Sequence, residues 1–376
     1  MTVNMAARPR AVARFYPEVR TVHLERAAQA RPATTFYFNR RADYHSELED
    51  PTRPFVQSGV LLLPFRVRRL RPDVVELPEP LWLRYAPHAV YLKFVLFLAS
   101  PRRRPTFVFY AIENATLDRV PDRFKRLPSG AWRWLVKAIA TAGVLGTTRA
   151  VFGTEGARVA YRSVLPRAVM ERLDGRSRVI PALPARCRCA PEVLRDADGV
   201  LFASSFEARK GLDLLLDAWP LVMRERPSAR LTVMGHGPLE ADVARLAHRD
   251  ESVTFVSKAP RAAIHRAYRA VSVVVLPSQP SGRWREQVGL PIVEALAHGC
   301  RVVTTTETGM SATLAAMGFK LVAVPTTAAM VAAGIVEELA RGAADWRPPD
   351  LPDVDGRMAA EYWLVGTDSE AALDGQ

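Results

Sequence analysis

The chain has 376 residues, enough for two domains of ordinary size, and its 49% apolar content describes a globular protein. Cys187, Cys189 and Cys300 show no metal-type spacing and no disulfide framework, so a reducing, cytoplasmic setting is expected; no stretch reads as a signal peptide or a membrane span. The formal net charge of +13 is uneven: residues 1–190 carry 33 Lys+Arg against 15 Asp+Glu, and residues 191–376 carry 19 against 24. Arg outnumbers Lys 46 to 6, a coding bias that leaves the gathering of cations in one half unexplained. A basic half suits an anionic surface, so peripheral contact with a membrane is expected; the charge surrounds no nucleic-acid-binding motif.

In the N-terminal half, strand candidates are Ala11–Tyr16, Thr34–Phe38, Val74–Leu77, Thr106–Ile112, Arg149–Gly153 and Arg178–Pro181. Helical stretches fall between them at 22–30, 58–69, 88–99 and 131–143. A Pro- and Ala-rich run from Ala182 leads into a linker over 186–197. Beyond it, strands Gly199–Ser204, Arg230–Gly235, Val253–Val256, Val271–Pro277, 301–305 and 320–324 alternate with helices at 211–226, 238–248, 261–270, Pro291–Gly299, 311–318 and 326–341. A repeated strand–helix pattern implies an α/β protein with doubly wound parallel sheets, whose ligands lie beyond the C-terminal strand ends. The boundaries read are 1–185, the linker, 198–345 and a tail 346–376, helical at 357–364 and able to pack back on the first domain.

Three segments of the second half carry chemistry. The loop Ser204-Ser205-Phe206-Glu207-Ala208-Arg209-Lys210-Gly211 follows the first strand and faces the ligand crevice. Lys210, one of six lysines, can meet a diphosphate as a compact charge, or stand solvated beside a helix-opening glycine. Met234-Gly235-His236-Gly237-Pro238 is a glycine turn that lets backbone approach a flat ligand, although plain strand–helix turns share the pattern; His236 is read as a turn residue. In Glu286-Gln287-Val288-Gly289-Leu290-Pro291-Ile292-Val293-Glu294, two carboxylates flank a helix start with Pro291 in its first turn and Gly299 past its end. Backbone N–H groups there attract an anion. The carboxylates repel that anion, and make sense as acceptors for hydroxyls on the molecule that carries it. An anion between polyols describes a nucleotide-sugar.

These segments, in this order, with Leu276-Pro277-Ser278 before the third and Arg301-Val302-Val303-Thr304-Thr305 after it, resemble the donor-binding domain of glycosyltransferase family 4 over residues 198–310. The resemblance implies the GT-B fold, two Rossmann-like domains facing a central cleft. It also implies a retaining glycosyltransferase that moves a sugar from a nucleoside diphosphate sugar to an acceptor hydroxyl, as in glycan, glycolipid or glycosylated-metabolite biosynthesis, with no metal or other cofactor. Lys210 would then bind the diphosphate, Glu286 the transferred sugar and Glu294 the ribose. Ser205, Arg209, Gly235 and the amides of Gln287, Val288, Gly289 and Leu290 complete the donor set. Ser204-Ser205 stands where the family has Gly-Arg, with Arg209, Arg283 or Arg285 as substitutes. Seven residues, Gln279–Arg285, separate Ser278 from Glu286 where the family has about two, and Trp284 among them either lines the pocket or caps a surface.

The glycine-rich loop usual after the first strand is absent, Gly59 being the first glycine, and Pro17–Thr21 with Arg20 takes its place. Arg20, Glu113 and Asn114 are the acceptor-side candidates, with an N-cap as the other reading of Asn114. Trp132, Arg133, Trp134 and Lys137, together with Tyr91, Lys93, Phe94, Phe97 and Arg102–Arg104, are candidates for contact with a bilayer. The alternatives are a GT-B enzyme that epimerises or hydrolyses nucleotide-sugars, and a non-catalytic relative that acts as a scaffold.

Overall fold

The computed structural model describes residues 10–41, 44–99, 103–115, 120, 126, 128–189, 194–341 and 348–366. Arg102, linker residues 190–193 and tail residues 346–347 and 367–376 lie outside that set. The described strands are β1 (Val12–Phe15), β2 (Glu18–Val19), β3 (Thr34–Tyr37), β4 (Asn39–Arg40), β5 (Phe55–Gln57), β6 (Val74–Leu77), β7 (Thr106–Ala111), β8 (Thr147–Phe152), β9 (Ser177–Val179), β10 (Asp196–Ala203), β11 (Arg230–Gly235), β12 (Val253–Ser257), β13 (Val271–Leu276) and β14 (Arg301–Thr304). The helices are α1 (Thr21–Gln29), α2 (Leu63–Arg69), α3 (Ala86–Ala99), α4 (Ser129–Val144), α5 (Glu155–Val164), α6 (Arg167–Asp174), α7 (Leu212–Glu225), α8 (Glu240–Arg249), α9 (Arg261–Ala270), α10 (Leu290–Ala297), α11 (Ser311–Ala316), α12 (Ala328–Ala340) and α13 (Gly356–Val365).

Two parallel sheets organise the chain. One has seven strands in the order β5-β3-β1-β6-β7-β8-β9, the other five in the order β12-β11-β10-β13-β14. Every residue of β13 is buried, as a central strand covered on both faces requires, and Val273 and Val274 pair with Val200 and Leu201 of β10. In the second sheet β10 stands between β11 and β13, so the chain leaves it in both directions; in the first, β1 stands between β3 and β6. These are the switch points at which an open α/β sheet leaves a crevice.

The tail returns to the first sheet. Helix α13 packs on β7 and β8, and four charged residues lock it there: Arg14 pairs with Glu361, and Arg357 pairs with Glu76 and donates to the Tyr16 hydroxyl at 2.9 Å. All four are at least nine-tenths buried, at 2, 4, 8 and 4% exposure for Arg14, Glu76, Arg357 and Glu361. Leu351, just upstream, belongs to the core of the second sheet, so residues 348–365 strap the two halves together.

Several expectations need correction. Among the described residues, 320–324 form no strand: Val322 makes a single bridge to Thr305, because β14 ends at Thr304 and its chain turns away. The helix expected over 58–69 begins only at Leu63, with Pro64 in its first turn. The last two linker positions, Asp196 and Ala197, already belong to β10. Strand β5 and helices α5 and α6 had no expected counterpart. Trp132 and Lys93 do not face outward. Trp132 is core, and the Lys93 ammonium donates to the carbonyls of Gly143 (2.7 Å) and Leu145 (2.9 Å) at the end of α4.

Candidate active site

The loops after β10 and β13 meet at the crevice. Gly211 has φ +71°, and a Cβ there would stand 2.0 Å from the Pro277 carbonyl oxygen, so the two backbones approach as only glycine allows. Gln279 N–H donates to the Arg209 carbonyl at 2.9 Å across the same seam. This contact brings Lys210 to Glu286. Its Nζ lies 2.6 Å from Glu286 Oε2, which also accepts from Ser278 Oγ at 2.8 Å. Glu286 is only 6% exposed, so this charged hydrogen bond is shielded from water.

The Gln279–Arg285 segment is compact. Ser281 and Trp284 bridge across Gly282 at φ +58°, and the Trp284 ring lies under two cations, 4.3 Å from the Arg209 guanidinium carbon and 5.0 Å from Lys210 Nζ. Trp284 is therefore a support for the cations. Of the three substitutes for the absent Gly-Arg, Arg285 is committed to Glu307 in a fork of 2.7 and 3.0 Å, and Arg283 crosses to the Trp132 ring at 5.1 Å. Arg209 remains beside Lys210, held by Glu207 at 2.6 and 2.8 Å; the Ser205 side chain also bonds Glu207.

Gly289, at φ +75°, is the N-cap of α10. Pro291 has no N–H, and the amides of Ile292 and Val293 return to the Gly289 carbonyl at 2.9 and 3.2 Å. A ligand would be left the amides of Gln287, Val288, Gly289 and Leu290. One turn further on, Glu294 pairs with Arg261 of α9, whose Nε stands 3.9 Å from Glu25 of α1. Sequence reading did not find Arg261, since nothing in its own segment points to a carboxylate on another helix.

The glycine turn has a local reason. A Cβ on Gly235 would stand 2.0 Å from the Ser204 carbonyl oxygen, and one on Gly237 would stand 2.8 Å from that of Phe206. The backbone that comes close to these glycines is the chain's own loop, the packing of a plain strand–helix turn. The His236 carbonyl accepts from Phe206 N–H at 2.9 Å, in keeping with a turn residue.

From the first sheet, Asn114 Nδ2 donates to the Glu286 carbonyl at 3.0 Å, which also accepts from Gly309 N–H at 2.8 Å. The Asn114 side-chain amide thus reaches across the crevice. Glu113 accepts from Ala115 N–H at 2.8 Å and from the Gln287 side chain, and burial raises its pKa. Behind it is Glu79, which no motif announced. Flanked by two prolines after β6, its carboxylate accepts the N–H groups of Ile112 (3.1 Å) and Glu113 (3.0 Å), so it sets the loop that carries Glu113 and Asn114. Burial, then the Glu113 charge, pushes Glu79 up to about 8. Arg20 stands exposed at the start of α1, its backbone N–H donating to His23 Nδ1 at 3.0 Å.

Metal-type spacing is missing from the sequence, but the fold brings donors together elsewhere: Cys187, His265 and His298 place their ligand atoms within 4.8 Å of one another.

Residues 197–344 match the family model of glycosyl transferases group 1. Over 115 residues the chain is 33% identical to a phosphatidyl-myo-inositol mannosyltransferase of Mycobacterium tuberculosis, an alignment covering 30% of this chain and 29% of the relative. It is 31% identical over 143 residues to a D-inositol 3-phosphate glycosyltransferase of Kribbella flavida, covering 35% and 32%. Each alignment thus spans about a third of the curated relative. Likeness to solved structures extends further. Anabaena Alr3699/HepE, solved in complex with UDP, superposes with a TM-score of 0.62 at 16% identity over 97% of this chain and 99% of its own. WaaG, a glycosyltransferase involved in lipopolysaccharide biosynthesis, gives 0.59 at 14% identity over 97% and 95%. The fold is GT-B.

Proposed function

We propose that this chain is a glycosyltransferase that takes a sugar from a nucleoside diphosphate sugar to an acceptor hydroxyl with retention of anomeric configuration. The observation that carries the reading is the buried Lys210–Glu286–Ser278 cluster beside the α10 N-terminus, at the switch point of the second sheet. In that place the diphosphate lies against the amides of Gln287–Leu290, with Lys210 and Arg209 as its cations. Lys210 exchanges its Glu286 partner for phosphate, which frees the Glu286 carboxylate to accept sugar hydroxyls. Glu294, drawn to the lip by Arg261, accepts the ribose hydroxyls.

The chemistry follows from charge. As the anomeric C–O bond lengthens, negative charge grows on the diphosphate, and fixed cations and amides in a water-poor cleft stabilise it. The acceptor attacks on the face the diphosphate leaves, and a departing phosphate oxygen takes the acceptor proton, so no protein nucleophile or metal is needed at the reacting centre. Glu286 and Glu294 are therefore not the acid and base of a glycosidase. Glu113 and Asn114, on the loop that Glu79 fixes, face the acceptor side. The mannosyl- and glycosyltransferases matched above, and the UDP held by the Anabaena structure, support a nucleotide-sugar donor.

Titration with UDP-, GDP- and dTDP-sugars tests the reading. One of them should raise the melting temperature and, with acceptor, release nucleoside diphosphate. If none binds, the donor site is wrongly assigned.

A further inference from the structure

We infer that Cys187, His265 and His298 form a binding site for a zinc-class divalent ion at the end of α10 remote from the sugar site, with Cys189 next to the fourth position. The ligands come from three separate segments: the linker, the middle of α9 and the C-cap of α10. His265 Nδ1 and His298 Nε2 are 3.2 Å apart. Two imidazoles on one tetrahedral zinc, at about 2.0–2.1 Å each, stand about 3.3 Å apart, so these rings already hold that edge. His298 Nδ1 lies 2.7 Å from the Glu294 carbonyl oxygen. That acceptor fixes the proton on Nδ1 and leaves the Nε2 lone pair facing His265 and Cys187, the arrangement a backbone carbonyl gives a metal-bound histidine. The ring is further set by stacking on Tyr268, with centroids 5.4 Å apart.

The thiols complete the chemistry. The linker is pinned where it must be, since Cys187 N–H donates to the Ala297 carbonyl at 2.8 Å. Cys187 Sγ lies 2.7 Å from Cys189 Sγ. Two thiolates on one zinc, at about 2.3 Å each, stand about 3.8 Å apart, so the pair opens by roughly 1 Å when both bind. Cys187, whose sulfur is grouped with the two imidazoles, is the primary sulfur ligand, and Arg269 bonds to Cys189. One thiolate with two imidazoles selects zinc over magnesium or calcium. The ion would clamp the linker to the helix whose other end, about 12 Å away over eight residues, opens at the loop amides. The site stands independently of the proposed transfer reaction.

The test uses the full chain, reduced with a phosphine, stripped with chelator and titrated with Zn2+ against a chromophoric competitor, then with Co2+ for its spectrum. The expected result is one ion per chain, a tetrahedral Co2+ spectrum with a thiolate charge-transfer band, and a melting temperature that zinc raises and chelator restores. Cys187→Ser and His298→Gln should each abolish stoichiometric binding and the thiolate or ligand-field signature. His265→Gln should do the same, and its half-buried position on α9 makes it the variant that keeps the fold, checked by circular dichroism. Cys189→Ser should weaken binding less. Absence of 1:1 binding in the wild type, or binding that survives both Cys187→Ser and His265→Gln, overturns the inference.

Discussion

In the proposed reaction Lys210 has two partners in succession, and this makes it the most informative single side chain. In the free protein its ammonium neutralises a nearly buried Glu286 at 2.6 Å; with donor bound it faces phosphate. Lys210→Ala should lower turnover about 100-fold, as loss of one preorganised charge donor does. Lys210→Arg should not restore it, because a planar fork cannot replace a compact ammonium between Ser278 and Trp284. Steady-state nucleotide release measures both, and wild-type turnover in either would remove Lys210 from the reaction. Glu79 supports a second prediction. Its folded pKa of about 8 lies above the ordinary carboxyl value of 4.5, so between those pH values the folded chain holds a proton that the unfolded chain has lost. Its contribution is complete below about pH 4.5 and declines as pH rises toward 8, with a limiting slope of about 1.4 kcal/mol per pH unit. Glu79→Gln should flatten that slope in urea melts at pH 5, 6.5 and 8.

Helices α2, α3 and α4 pack side by side and leave Phe65, Phe94, Phe97, Leu98 and Trp134 exposed, with Arg68, Arg69, Arg133 and Lys137 exposed on α2 and α4 and the Arg104 guanidinium 3.9 Å over Phe97. No described helix is long and apolar enough to cross a membrane. Exposed apolar groups with cations on the same helices suit the surface of an anionic bilayer. The chain should therefore float with anionic vesicles at low salt, and Phe94→Ser/Phe97→Ser should release it; no flotation at low salt would sink the idea. The sequence pattern pointed to α3 and α4 but not to α2 or to which side chains face outward, since Trp132 and Trp134 are indistinguishable until α4 is packed. The same limit applies elsewhere. Fully buried runs such as Val271–Leu276 announce a parallel strand by themselves, which is why the second half was legible. The missed α5 and α6 are polar and separated only by Leu165 and Pro166, and they gain their place from one buried stripe each. At the site, the linear motif exposed Lys210, Glu286 and Glu294. Glu79, Arg261 and the Asn114 bridge depend on approaches between distant segments that no spacing encodes.

At the scale of the molecule, one short strap joins the two sheets. Leu351 is buried with the second sheet and α13 with the first, so the ion pairs of α13 help to fix how the halves face each other across Glu286 and Asn114. Removing one member of such a network strands a buried charge, at a cost of about 3–5 kcal/mol. Glu361→Gln should lower stability by about that amount, because Arg14 keeps the Arg31 carbonyl at 3.1 Å but, as counter-charge, only Glu76 at 3.6 Å, which Arg357 already shares. The double change Arg14→Met/Glu361→Met removes both charges and leaves Arg357 paired with Glu76, so most of the loss should be recovered. The two outcomes separate charge stranding from simple loss of packing. They also reach function: Lys210 and the α10 amides belong to the second sheet, whereas Glu113 and Asn114 come from the first. A loosened strap should therefore leave the donor dissociation constant nearly unchanged while transfer to the acceptor slows. Equal losses of donor affinity and transfer would show instead that α13 supports the donor site directly.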